Sequence, residues 1–213
     1  METLEKILFE AAEKELACGD GSHDFDHTLR VAVHAEKLLA ELPEADARVV
    51  RVAVWFHDCA RSEEDASHGK IDHAARGAEK AYSILLACGA DVSFACRVRD
   101  AVARHRFRGK NGPQTLEEKI VYDADKLDSL GAVGVGRAFH FAGKIGARLH
   151  NEEREALSGA PYGVEDTAFR EYLVKLRKLP EKMQTLPGKK VARERLAYMK
   201  AFFDQLNAET SAK

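Results

Sequence analysis

The chain has 213 residues, of which 45% are hydrophobic and 32% charged; 33 basic against 35 acidic residues leave a net charge of -2. That apolar share supports a packed core, and disorder is not the default expectation. The balanced charge excludes the whole-chain signature of a nucleic-acid or anionic-membrane binder and leaves only local basic patches to consider.

The length favours one domain, spanning 1–213, with a core over about 20–130 and C-terminal helices over about 131–207 packed on it. The first segment, METLEKILFEAAEKELA, carries an apolar stripe of Leu4, Leu8, Ala11 and Leu16. It mixes charge throughout, so it reads as a helix and not as a signal peptide. CGDGSHD ends it through Gly19 and Gly21. A second helix is predicted over about 26–41, with His27, Val31, His34 and Leu38 on one stripe, and Leu42-Pro43-Glu44 breaks it. VVRVAVWFHD follows; its valines suit a buried strand and its all-round apolarity suits a central helix. Helical neighbours and the lack of a second comparable strand favour helix. Further helices are predicted over about 71–88, 91–106, 115–127 and 130–150. The SGAPYG loop leads to two more, about 165–179 and 189–207, parted by Pro180 and a TLPG turn. The fold class is therefore all-α.

No segment approaches the ~20 apolar residues of a membrane span. Cys18, Cys59, Cys88 and Cys96 form no C-x-x-C pair, so neither a zinc knuckle nor a disulfide framework is expected. These features predict a cytoplasmic protein.

His57-Asp58 closes the most apolar stretch of the chain, where a carboxylate must be paired or bound to a cation. Asp125 and Asp128 lie three apart on a predicted helix and share its face, whereas Asp123 does not share Asp125's. His27, His57, Asp58 and Asp125 make a His2Asp2 set drawn from three helices. Imidazole and carboxylate without thiolate suit Mn²⁺, Fe²⁺, Mg²⁺ or Zn²⁺ in an open catalytic site; the alternative for such a set is a buried hydrogen-bonded network. His34, two turns or roughly 10 Å from His27, is read as structural, and His68, His140 and His150 as surface or core residues. The basic stretch RHRFRGKNG over 104–112 is either a solvated face or a phosphate-binding edge. GAVGVG has the spacing G-x-x-G-x-G after a helix, which points to packing or a turn and not a phosphate loop.

The order His27, His57-Asp58, Asp125, with HDFDHTLRV over 23–31, WFHDCAR over 55–61 and DADKLDSLGAVGVGRAF over 123–139, resembles the HD-domain metal-dependent phosphohydrolases, in their YedJ/YpgQ-type branch. The likeness extends over about 20–207. It implies an all-helical HD fold, metal ligation by His27, His57, Asp58 and Asp125, and hydrolysis of nucleotides. Nucleoside or deoxynucleoside triphosphates cleaved to monophosphate and pyrophosphate are the expected substrates. A 5′-nucleotidase or other phosphomonoesterase, or a non-catalytic nucleotide sensor, is the alternative. The implied cofactor is a divalent ion, Mn²⁺ first, with Mg²⁺, Fe²⁺, Co²⁺, Ni²⁺ or Zn²⁺ also suited. His73 and His105 fall in order with the later histidines of binuclear relatives, which leaves a second ion or a proton-transfer role open for them, with Asp58 as the further catalytic group. Arg61 stands where some relatives carry a Glu general acid; Glu63, Glu64 and Asp65 are near, and spacing does not choose among them. Arg61, Arg106 and Lys126 are the expected phosphate contacts, and Arg30 is expected to steady a ligand. No membrane or nucleic-acid partner is expected.

Overall fold

Asp46 starts the helix on which the site depends. Its carboxylate accepts from the backbone N–H groups of Arg48 and Val49, two of the donors a helix start leaves free. The helix that follows carries VVRVAVWF, and Val50, Val52, Ala53, Val54 and Phe56 lose all exposure. Burial on every side, against helices from four other parts of the chain, outweighs the strand preference of the valines; each buried Val or Phe side chain contributes about 1.5–3 kcal/mol.

The structure, a computed structural model, describes residues 3–16, 25–106 and 112–210. Among these residues every regular element is helical. The chain forms two compact units, Met1–Asp125 and Lys126–Lys213. The first contains α1 (Leu4–Leu16), α2 (Phe25–Glu41), α3 (Ala47–Phe56), α4 (Arg61–Ala66), α5 (His73–Ala87), α6 (Val92–Arg104) and most of α7 (Leu116–Leu127). The CGDGSHD turn lies outside the described residues. In this unit α3 packs against α1, α2, α5 and α6. α5 and α6 pack against each other, and both carry buried small residues, Ala78 and Ala81 on α5 and Ala95 and Ala101 on α6. Gly89, at φ +85, turns the chain between them, a conformation glycine adopts without strain. Helix α4 was not expected: RSEEDA has no apolar stripe, and Glu64 is its one buried residue.

The second unit holds α8 (Gly131–Lys144), α9 (Glu153–Ser158), α10 (Ala168–Val174), a 3-10 turn (Leu176–Lys178), α11 (Leu179–Lys182) and α12 (Leu186–Thr210). α8 stops short of the expected 150 because Gly146 takes φ +72. The expected 165–179 helix is broken into shorter pieces. TLPG is a helix start and not a separate turn: Thr185 Oγ1 accepts from Gly188 N at 3.0 Å, and Pro187 sits in the first turn, where no N–H is needed. Around α12 the core gathers Phe169, Tyr172, Met199 and Phe203, with Tyr172 stacked on Phe203 at 4.7 Å. Buried polar groups in this unit are paired: Thr167 Oγ1 donates to Asn151 Oδ1 at 2.8 Å, and Arg170 Nη1 to Asp166 Oδ1 at 2.9 Å. No described helix is long and apolar enough to cross a membrane.

Candidate metal centre

His57 and Asp58 leave the C-terminal end of α3, where carbonyls lack intrahelical partners. His57 uses one of them: its Nδ1–H donates to Val54 O at 2.7 Å. The proton is thereby fixed on Nδ1, and the Nε2 lone pair faces inward. Burial pushes the His57 pKa down to about 4, against the upward pull of Asp58 and Asp125, so the ring is neutral near pH 7 and able to act as a ligand. His27, buried in the first turn of α2, brings its Nε2 within 3.3 Å of His57 Nε2 and 3.5 Å of Asp125 Oδ1. Asp58 Oδ2 lies 3.7 Å from His57 Nε2 and 3.9 Å from His27 Nε2. The four residues chosen from the sequence thus converge from α2, α3 and α7.

The other oxygen of Asp58 faces a second group. Asp58 Oδ1 is 3.2 Å from His73 Nε2 and 3.6 Å from His105 Nε2, and the two rings approach to 3.2 Å through the same atoms. His73 opens α5 after its cap Asp72; His105 closes α6 and donates from Nδ1 to Val102 O at 2.6 Å. His73 Nδ1 lies 2.6 Å from Glu64 Oε2. A carboxylate only accepts, so Nδ1 carries the proton here too. Two imidazole lone pairs and one carboxylate oxygen then meet with no donor among them. A cation or an added proton at their centre would reconcile the contact. Among the described residues, two groups have ligand atoms within 4.8 Å of one another, His27/His57/Asp125 and Asp58/His73/His105. Their donors, all N and O, suit a divalent transition ion, and Asp58 spans both.

Glu64 is the residue that sequence reasoning left unresolved. Besides His73 it binds Arg106 Nη1 through Oε1, and Arg61 Nη1 stands 3.1 Å from Oε2. Burial alone would raise its pKa, but hydrogen bonds from Arg106 and His73 hold it down to about 2. Arg61 and Arg106 therefore both lean on Glu64. Arg61 Nε is buried and without a hydrogen-bond acceptor among the described residues, its nearest ion-pair partner being Asp65 Oδ1 at 3.6 Å. Arg104 is drawn away to Glu118, at 2.6 Å, while Arg108 and Lys110 lie outside the described residues. Lys126 follows Asp125 in sequence and is half-buried, as is Arg30. His34 is buried but belongs to neither ligand group. His68 and His140 are exposed, and His150 bonds Asn207 at 2.8 Å. Asp128 pairs with Arg137 at 2.7 Å. Burial pushes the Cys59 thiol up to about 12, which makes it a poor nucleophile.

Comparison with known proteins bears on this geometry. The HD domain matches residues 24–130, and YpgQ of Bacillus subtilis is 32% identical over 192 residues, 88% of this chain and 84% of YpgQ. The chain belongs to the HD-domain family. The crystal structure of B. subtilis YpgQ in complex with ADP superposes with a TM-score of 0.74 at 26% identity, covering 98% of this chain and 96% of that one. An HD-superfamily hydrolase from Bacillus thuringiensis superposes at 0.73 and 25% identity, over 98% and 97%. A predicted HD-superfamily hydrolase from an uncultured Thermotogales bacterium gives 0.67 at 26% identity over 97% and 92%. The chain is an HD-superfamily hydrolase by fold and family, and its two His/Asp groups, His27, His57 and Asp125 and Asp58, His73 and His105, are ones that could hold a metal ion.

Proposed function

We propose that this HD-domain protein is a metal-dependent phosphohydrolase that cleaves nucleoside or deoxynucleoside triphosphates to monophosphate and pyrophosphate. The observation that carries the proposal is Asp58, which belongs to one convergent His/Asp group and lies 3.7 and 3.9 Å from the histidine nitrogens of the other, an arrangement suited to hydrolysis at phosphorus. That the related YpgQ was crystallised with ADP supports a nucleotide as the substrate class. The proposed substrate is small and soluble, with neither membrane nor nucleic acid as partner, and the proposed location is the cytoplasm.

His27, His57, Asp58 and Asp125 would hold the first ion, with Mn²⁺ the leading candidate; Asp58, His73 and His105 would hold a second. When bound, a divalent ion supplies charge neutralisation at the phosphoryl group and acidifies water at neutral pH. The chain's own contribution is to bind and orient. Val54 O and Val102 O fix His57 and His105 with their Nε2 lone pairs inward. Asp58 is positioned to accept a proton from water at the site, and in the single-ion state His73 and His105 are the groups near enough to it to pass that proton on. Arg61, Arg106 and Lys126 are the proposed contacts for phosphate oxygens. A guanidinium has five donors, so those committed to Glu64 leave others for substrate.

The test is a panel of nucleoside tri-, di- and monophosphates with Mn²⁺, resolving phosphate from pyrophosphate. Pyrophosphate from triphosphates is expected; phosphate from monophosphates would move the assignment to a phosphomonoesterase, and binding without turnover to a sensor. Asp58→Ala removes the residue common to both groups. Several kcal/mol of transition-state stabilisation correspond to a loss of about a thousandfold or more in kcat, with lowered Mn²⁺ content by elemental analysis. Full activity and full metal content in that variant would overturn the site.

A further inference from the structure

We propose that Glu64 is the positioning residue that prepares His73 as a metal ligand, by holding the ring proton on Nδ1. The inference rests on the two-ion reading above and deepens it. His73 Nδ1 is approached from three sides: by Glu64 Oε2 at 2.6 Å, by Arg106 Nη1 at 3.0 Å and by Arg61 Nη1 at 3.4 Å. The two guanidiniums only donate, and the carboxylate only accepts. The position of the His73 proton is therefore decided by which of them wins Nδ1. With Glu64 present, the shorter contact and the anion take the Nδ1–H, and the Nε2 lone pair points to Asp58 Oδ1 at 3.2 Å. Without Glu64, a guanidinium N–H takes the Nδ1 lone pair, and the proton moves to Nε2. A proton on Nε2 satisfies Asp58 and His105 directly and occupies the place of the second ion.

His57 and His105 need no such device. Each is the residue at its helix's C-terminal cap, and each donates to the carbonyl three residues back, Val54 O and Val102 O. His73 sits at the opposite end of a helix, the first residue of α5, where free backbone groups are N–H donors and no carbonyl is available. An acceptor must come from another element. α4 supplies it, and this gives the six-residue helix a purpose: it carries Glu64 inward one turn after Arg61.

The experiment uses the full chain stripped of metal. Imidazole ¹⁵N–¹H correlation spectra of wild type, Glu64→Ala and Glu64→Gln are compared. Mn²⁺ binding to the same samples is followed by calorimetry. Wild type is expected to show His73 protonated on Nδ1 and to take up two ions. In Glu64→Ala the proton is expected on Nε2, with the second ion bound ten- to a hundredfold more weakly and the first unchanged; Glu64→Gln, whose amide oxygen still accepts more weakly than the carboxylate, is expected to fall between wild type and Glu64→Ala. An unchanged tautomer, or undiminished affinity for the second ion in both variants, overturns the role of Glu64. If wild type shows the Nδ1–H tautomer but binds a single ion, and His73→Ala binds that ion equally well, the two-ion reading fails, and the metal role of Glu64 with it.

Discussion

Single residues in this site are defined by where their protons and donors must go. Histidines were legible in the sequence by type and order, but their tautomers were not, because these follow from Val54 O, Val102 O and Glu64 Oε2. Arg61 shows the same division. Its place one turn after His57 marked it as near the site; its buried Nε, without an acceptor among the described residues, is a finding of the structure alone, and it is the donor proposed for a phosphate oxygen. Arg61→Ala is therefore expected to lower kcat/KM for triphosphate about ten- to a hundredfold, as a charge-assisted contact of about 1.5–3 kcal/mol implies. Metal content should not change, because Arg61 carries only donors and so supplies no ligand atom, and Glu64 still holds His73 Nδ1 without it. Steady-state kinetics with parallel elemental analysis decides it, and unaltered kinetics removes Arg61 from the substrate contacts.

Elements carried the parts of the sequence reading that rested on periodicity. α1, α2, α5, α6 and α7 fall close to their expected bounds, because each has an apolar stripe long enough to state its period. α4 and α9 have six residues each, too few for a period to register, and so they were missed. GAVGVG was read as packing or a turn. Within α8 the two roles separate by position: a Cβ at Gly134 would lie 2.2 Å from Ser129 O, whereas one at Gly136 would meet nothing within 4 Å. Helix propensity favours alanine over glycine by about 1 kcal/mol at both sites. At Gly134 a collision with backbone, of about 1–3 kcal/mol or more, reverses the sign. Gly134→Ala should lower the melting temperature by several degrees, and Gly136→Ala should leave it unchanged or raise it. Equal behaviour in thermal denaturation would show that Gly134 is not held by close approach.

Across the whole molecule, the ligand set draws on residues far apart in the chain, so ion binding should register in global stability. Six buried or part-buried ligand residues are available only when folded. A ligand at a hundredfold over its Kd stabilises by about 2.7 kcal/mol, and at about 2–4 °C per kcal/mol for a chain of this size saturating Mn²⁺ should raise the melting temperature by about 5–10 °C over protein in chelator. The Asp58→Ala variant should lose most of that increment in the same scan. By itself the sequence determined the helical class, since its apolar periods are local, and it marked the candidate ligand types and their order, since those residues are few and fall at marked places. Only the tertiary structure decided that Asp58 serves two groups, that Glu64 and not Glu63 or Asp65 turns inward, and that Arg106 leans on it. Those facts depend on the burial of α3 among four helices and on which end of each helix meets the site, and no local pattern encodes either.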